Sequence, residues 1–116
     1  MTDGGTTPYV VVLVTAPTRE QAEQIAENVI QERLAACVTV VPHATSVYRW
    51  EGEVHKDQEV LLIAKTRAAL FPALAARVQQ LHSYQVPEII ALQVVEGAQN
   101  YLKWLASETR RDEDRS

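Results

Sequence analysis

Residues 33–52, R-L-A-A-C-V-T-V-V-P-H-A-T-S-V-Y-R-W-E-G, decide how the rest of the chain is read. The run begins where a helical periodicity stops and ends at a tight turn. Between lie two stretches rich in β-branched and aromatic residues, 37–41 and 45–50, separated by Pro42-His43-Ala44. Proline offers no N–H to a ladder, so Pro42 predicts a bulge, a bend or an edge position. Beyond Gly52, residues 54–66 are again strand-like. Together they predict a long, bent hairpin whose tip is too polar and too extended for so short a chain to cover. Such an arm calls for a partner, and a second copy of the chain is the simplest one.

Working outward toward the N-terminus, residues 9–15, Y-V-V-V-L-V-T, form a β-branched run without polar alternation, as in a central strand covered on both faces. Thr18 and Gln21 make a capping-box pattern. Ala22, Ile25, Ala26, Val29 and Ile30 then recur at helical spacing, with Glu20, Glu23, Glu27 and Gln31 on the other side. Strand, amphipathic helix and strand make a crossover unit.

Toward the C-terminus, the return arm of the hairpin is polar at first and apolar over 60–64. Lys65 then marks the point where the strand is expected to leave the core. A second helix is expected over 67–82, with Leu70, Leu74, Val78 and Leu81 as its buried stripe and Pro72 in its first turn. Residues 82–87 read as a loop, 88–95 as a fourth strand and 98–107 as a short helix. The fold class is therefore α+β: a ferredoxin-like β-α-β-β-α-β sandwich with a long bent hairpin and a short C-terminal helix. Domain organisation is one unit over 9–107, with disorder expected in 1–8 and in the charged tail 108–116. Apolar positions on both faces of the first and fourth strands again predict self-association.

Composition narrows the function. Hydrophobic residues make up 47% of 116, enough for one core. Eleven basic and fifteen acidic residues give a net charge of −4, without the basic stripe that nucleic acid requires. No apolar run is long enough to span a bilayer, and the N-terminal residues lack the pattern of a signal peptide. A single cysteine excludes an intrachain disulfide and fits a reducing cytoplasm. Four glycines are too few for a glycine-built nucleotide cradle, and no catalytic motif is present, so no enzyme is expected.

The chemistry-bearing residues each admit two readings. Cys37 is either a small buried apolar side chain or a soft metal ligand. His43, in the strand break, and His55, on the polar arm, read as solvated. His82 closes the second helix, where it is either a charge on the helix dipole or part of a site. Tyr48 and Trp50 share one strand face and read as interface aromatics. Lys65 and Glu88 are either strand-end charges or a charged pair in a cleft.

Five separated stretches bear on identity: R-L-A-A-C-V at 33–38, S-V-Y-R-W-E-G at 46–52, K-T-R at 65–67, L-H-S-Y-Q-V-P-E-I-I at 81–90 and Y-L-K-W-L at 101–105. With V-T-A-P at 14–17, they closely resemble the CutA divalent-cation tolerance proteins, in one register over about residues 9–107. The resemblance implies a tight homotrimer, like that of the PII signalling proteins, and no catalytic activity. It maps a polar ligand cleft onto Cys37, Tyr48, Trp50, Lys65, His82, Tyr84 and Glu88. It implies no obligatory cofactor, but weak binding of copper(II) or another divalent cation, with His82 and Cys37 as the candidate metal ligands. Copper-binding members can carry a cysteine late in the first strand and a histidine just before the H-x-Y loop. Val14 and Leu81 stand at those positions here, which predicts micromolar affinity or weaker, an order-of-magnitude figure from ligand count. Two other functions follow from the same residues: a sensor whose cleft binds a small anionic ligand at Lys65, His82 and Glu88, and a trimer that anchors other proteins without any ligand.

Overall fold

A computed structural model describes residues 7–111. The chain runs β1 (Tyr9–Ala16), α1 (Arg19–Gln31), β2 (Cys37–Trp50), β3 (Glu53–Arg67), a 3-10 turn (Ala68–Leu70), α2 (Phe71–Leu81), β4 (Ile89–Gln93) and α3 (Gln99–Glu108). The four strands form one sheet in the order β2-β3-β1-β4, antiparallel at every pairing. This is the mixed α+β arrangement expected, with β1 in the sheet interior.

Helices α1 and α2 cover one face. Their Ala22, Ile25, Val29, Leu74 and Val78 meet Val10, Val12 and Val14 of β1 and Val60, Leu62 and Ala64 of β3 in a single buried cluster. Strand periodicity of two explains why alternate residues carry that core. The other face holds Val11, Leu13, Leu61 and Ile63, only partly buried, and the half-exposed Ile90 and Leu92. Helix α3 lies over part of it, burying Leu105 and joining Thr109 to Arg67.

Local chemistry explains the ends of the elements. The Thr18 hydroxyl accepts the Gln21 N–H at 3.1 Å, which caps α1. Arg33, with φ of 60°, closes the same helix, its N–H on the Ile30 carbonyl and the Leu34 N–H on that of Val29. The hairpin tip is a two-residue turn in which Glu51 and Gly52 both have positive φ.

The break at Pro42-His43-Ala44 is a bulge. Val41 faces Leu61 and Ala44 faces Glu59, so Pro42 and His43 together oppose Val60, with His43 at φ 65°. The odd-numbered Cys37, Thr39 and Val41 and the even-numbered Ala44, Ser46, Tyr48 and Trp50 consequently lie on the same face. The arm beyond the bulge leaves the core: Val47 and Val54 are each 64% exposed. The radius of gyration is 15.1 Å, above the roughly 13 Å of a compact 100-residue domain, as a projecting hairpin requires.

Three expectations need adjustment. Strand β3 does not leave the core at Lys65. It continues through the fully buried Thr66, whose hydroxyl donates to the Leu34 carbonyl at 2.6 Å, to Arg67, which pairs with Tyr9. Helix α2 therefore starts at Phe71 rather than at 67, after the 3-10 turn. Strand β4 is also shorter than the expected 88–95: its ladder with β1 spans residues 89–93, beyond which the Val94 N–H still bonds the Tyr9 carbonyl. Residues 1–6 and 112–116, in which disorder was expected, lie outside the described part. Within it Thr7 donates to Val94 and Arg110 to the Arg33 carbonyl, so order extends past 9–107 at both ends.

Two substitutions test this construction. A Cβ at Gly52 meets nothing within 4 Å, but the residue sits at φ +83°. Gly52→Ala should therefore cost about 1 kcal/mol through backbone conformation alone. Leu62→Ala, at a fully buried site, should cost about 2–5 kcal/mol. Chemical denaturation that finds Gly52→Ala neutral would mean a different turn.

Candidate functional site

The bulge directs Ser46, Tyr48 and Trp50 toward the loop that follows α2. Between arm and loop lies an open cleft of about 480 Å³, lined by Thr15, Ser46, Val47, Tyr48, Trp50, Glu59, Tyr84, Gln85, Val86 and Glu88. Four residues mapped from the sequence, Tyr48, Trp50, Tyr84 and Glu88, therefore meet there.

Glu59 was not foreseen as a site residue. It is only 7% exposed, and its Oε2 accepts the Tyr84 hydroxyl at 2.8 Å. Two residues along β3, Asp57 accepts the Tyr48 hydroxyl. Alternation within E-V-H-K-D-Q-E places Asp57 and Glu59 on one strand face, and Glu59 directly precedes the apolar run. That juxtaposition was the available signal. Both phenols are shifted upward. For Tyr84, burial is the larger cause, followed by the Glu59 hydrogen bond and charge; for Tyr48, the hydrogen bond to Asp57 leads.

His82 closes α2, as expected, with its N–H on the Val78 carbonyl. It is 8% exposed, and its Nε2 lies 2.6 Å from the Thr15 carbonyl oxygen, which can only accept. The ring therefore carries its proton on Nε2. Its Nδ1 accepts the Tyr84 N–H at 3.0 Å, and the two rings pack with centroids 4.7 Å apart. Both nitrogens are engaged, so His82 presents no free lone pair to a metal in this arrangement. It positions Tyr84 instead. Gln21 helps, since its Oε1 accepts from the Ser83 N–H and hydroxyl rather than completing the capping box.

Cys37 and Lys65 form a second cluster, away from the cleft. Lys65 Nζ lies 3.1 Å from Thr39 Oγ1 and 3.8 Å from Cys37 Sγ. Tyr101 of α3 adjoins them, its phenol pushed up by burial and then by Cys37. Lys65 and Glu59 are six positions apart on β3, roughly 20 Å at strand rise. The chain thus does not bring Cys37 and Lys65 to the cleft of Tyr84 and Glu88. His43 is exposed at the bulge, whereas His55 stacks on Tyr48 with centroids 5.5 Å apart. Among the described residues, no three His, Cys, Asp or Glu side chains gather to hold a metal ion. No helix there is long and apolar enough to cross a membrane.

What the cleft offers is negative charge beside aromatic surface. Glu59 and Glu88 line it, Asp57 stands behind Tyr48, and no lining residue among those described is basic.

Residues 10–108 match the family described as CutA1 divalent ion tolerance protein. The divalent-cation tolerance protein CutA of Thermus thermophilus is 54% identical over 99 residues, covering 85% of this chain and 96% of that protein. The chloroplastic CutA of Arabidopsis thaliana is 50% identical over 105 residues, 90% of this chain but 58% of the plant protein. Among solved structures, the Thermus thermophilus protein superposes with a TM-score of 0.86 at 53% identity, over 88% of this chain and 99% of that one. Rice CutA1 gives 0.89 at 48% identity, over 93% and 99%.

The raised phenol predicts a pH dependence. Between the ordinary tyrosine value of 10.0 and the higher folded-state value, the unfolded chain has released the Tyr84 proton and the folded chain keeps it. The unfolded state then binds fewer protons, so stability falls as pH rises above 10. Melting temperatures of the parent and Tyr84→Phe should converge over that range. Parallel curves would mean that the Tyr84 hydroxyl is free.

Proposed function

This chain belongs to the CutA1 divalent ion tolerance protein family, and from that premise we propose that it contributes to metal tolerance by weakly binding a divalent cation in the cleft of Glu59 and Glu88. The observation that carries the reading is the pairing of a nearly buried carboxylate with a lining that holds no basic residue. Carboxylate and phenol oxygens are hard donors, suited to poorly discriminating capture of divalent ions rather than to selective copper binding. With fewer than three gathered side-chain donors, water completes the ion's shell and affinity is low. Copper(II) is one such ion. Cys37 and His82 are not its ligands in this reading, because Lys65 and the Thr15–Tyr84 backbone already engage them. An anionic ligand fits less well, since Lys65 belongs to the other cluster.

The protein acts as a homotrimer in this proposal. Support comes from the projecting arm, from the outer edges of β2 and β4, and from the half-exposed Ile90 and Leu92 on the thinly covered sheet face. Closed symmetry gives each edge a partner. The single thiol is in keeping with a cytoplasmic setting. The role is binding, without a catalytic step.

Manganese(II), a paramagnetic divalent probe, should broaden amide signals around Glu59 and Glu88 at micromolar or higher concentration, a range set by donor count. Glu59→Gln keeps an acceptor for Tyr84 and should weaken the effect severalfold, while Cys37→Ser should not. Broadening centred on Cys37 would overturn this assignment. Light scattering should give three times the chain mass, and a monomer would remove the trimer.

A further inference from the structure

We propose that the same cleft is a receptor for a small organic ammonium ion, with the aromatic lining recognising the alkylated cation and the carboxylates balancing its charge. The proposal rests on the reading that this cleft takes a cation and adds the class of cation it fits best. A bare metal ion leaves most of the cleft unused. Its volume of about 480 Å³ lies in the range of small-molecule sites, roughly 300–1,000 Å³. The lining carries three aromatic rings, Tyr48, Trp50 and Tyr84, and the methyl groups of Val47 and Val86. A strongly hydrated metal ion gains little from such a surface. An alkylated ammonium is weakly hydrated, presents methyl groups to apolar walls and is attracted by the faces of aromatic rings.

The polar groups fit the same ligand. Both phenols donate their protons to carboxylates, Tyr48 to Asp57 and Tyr84 to Glu59 at 2.8 Å. Those bonds hold the rings and leave their π systems electron-rich, which strengthens attraction for a cation. Glu59 supplies charge from a nearly buried position, where water screens it little. Glu88 adds a second charge in the lining. Tyr84 is itself fixed from behind by His82, through the backbone N–H bond at 3.0 Å and the ring contact. The receptor surface is therefore supported rather than left to a mobile loop.

The test uses tetramethylammonium chloride against the full-length protein, with sodium chloride of equal ionic strength and tert-butanol, a neutral molecule of similar shape, as controls. The expected result is saturable chemical-shift change confined to Tyr48, Trp50, Glu59 and Tyr84 with tetramethylammonium alone. Trp50→Ala should weaken binding about tenfold, as the loss of a cation–π partner does. Glu59→Gln should weaken it as well, and serves if Trp50→Ala fails to fold. Trp104→Ala, on α3, should bind as the parent does. Equal shifts from tert-butanol, or no saturable response to tetramethylammonium, would overturn the proposal. Manganese(II) is titrated in parallel. Broadening at Glu59 and Glu88 without a tetramethylammonium response overturns the ammonium receptor and leaves the divalent reading standing. The reverse pattern supports the receptor and removes the divalent site, and silence from both removes both.

Discussion

One extra residue in β2 governs the functional end of this molecule. Pro42 and His43 together face Val60, and His43 adopts the left-handed conformation that few non-glycine residues take. Side chains in a strand alternate strictly, so a slip of one residue reverses every face beyond it. Without the bulge, Tyr48 and Trp50 would turn away from Tyr84 and Glu59. The bulge also sits where the helix layer ends. Val60 is the last buried apolar residue of β3 before the strand enters the free arm. The same irregularity thus ends the core and aims the aromatic pair.

Placement of the remaining site residues follows from the sheet order. With β3 between β1 and β2, side chains near the hairpin arm gather with the loop after α2, whereas those near Arg67 gather under α3. The first group is acidic and aromatic: Asp57, Glu59, Glu88, Tyr48 and Tyr84. The second holds Lys65, Cys37 and Tyr101. Separating them by several strand positions keeps Lys65 from neutralising Glu59. At that distance opposite charges near a protein surface are largely screened by solvent and salt. His82 belongs to neither chemistry. It is a spacer that bonds β1 to the Tyr84 backbone, and it ties ring orientation in the cleft to the most buried strand of the sheet.

Much of the fold was legible because it rests on local periodicity. The helix over Arg19–Gln31, the cap at Thr18, the turn at Gly52 and the break at Pro42 all follow from residue spacing and backbone chemistry. The start of α2 was not legible. Arg67 looks like helix entry, yet pairing with Tyr9 of β1, next to the bond from Thr66 to Leu34, holds it in β3. Gln21 resembles half of a capping box, but the loop at Ser83 claims its side chain. In both cases a distant partner outbids a local preference.

The candidate site divides along the same line. By itself the sequence determined the element order, the bent hairpin, the shared face of Tyr48 and Trp50 and the motifs that point to the family, since each depends on neighbours along the chain. Only the tertiary structure decided that Glu59 is a site residue, that His82 is consumed by Thr15 and Tyr84, and that Cys37 and Lys65 lie elsewhere. Those outcomes depend on which strands are adjacent and on which donor meets which acceptor across 25 to 67 positions of chain. A carboxylate in a polar run looks solvated until folding places a phenol against it, and a histidine looks free to bind a metal until both of its nitrogens find backbone partners.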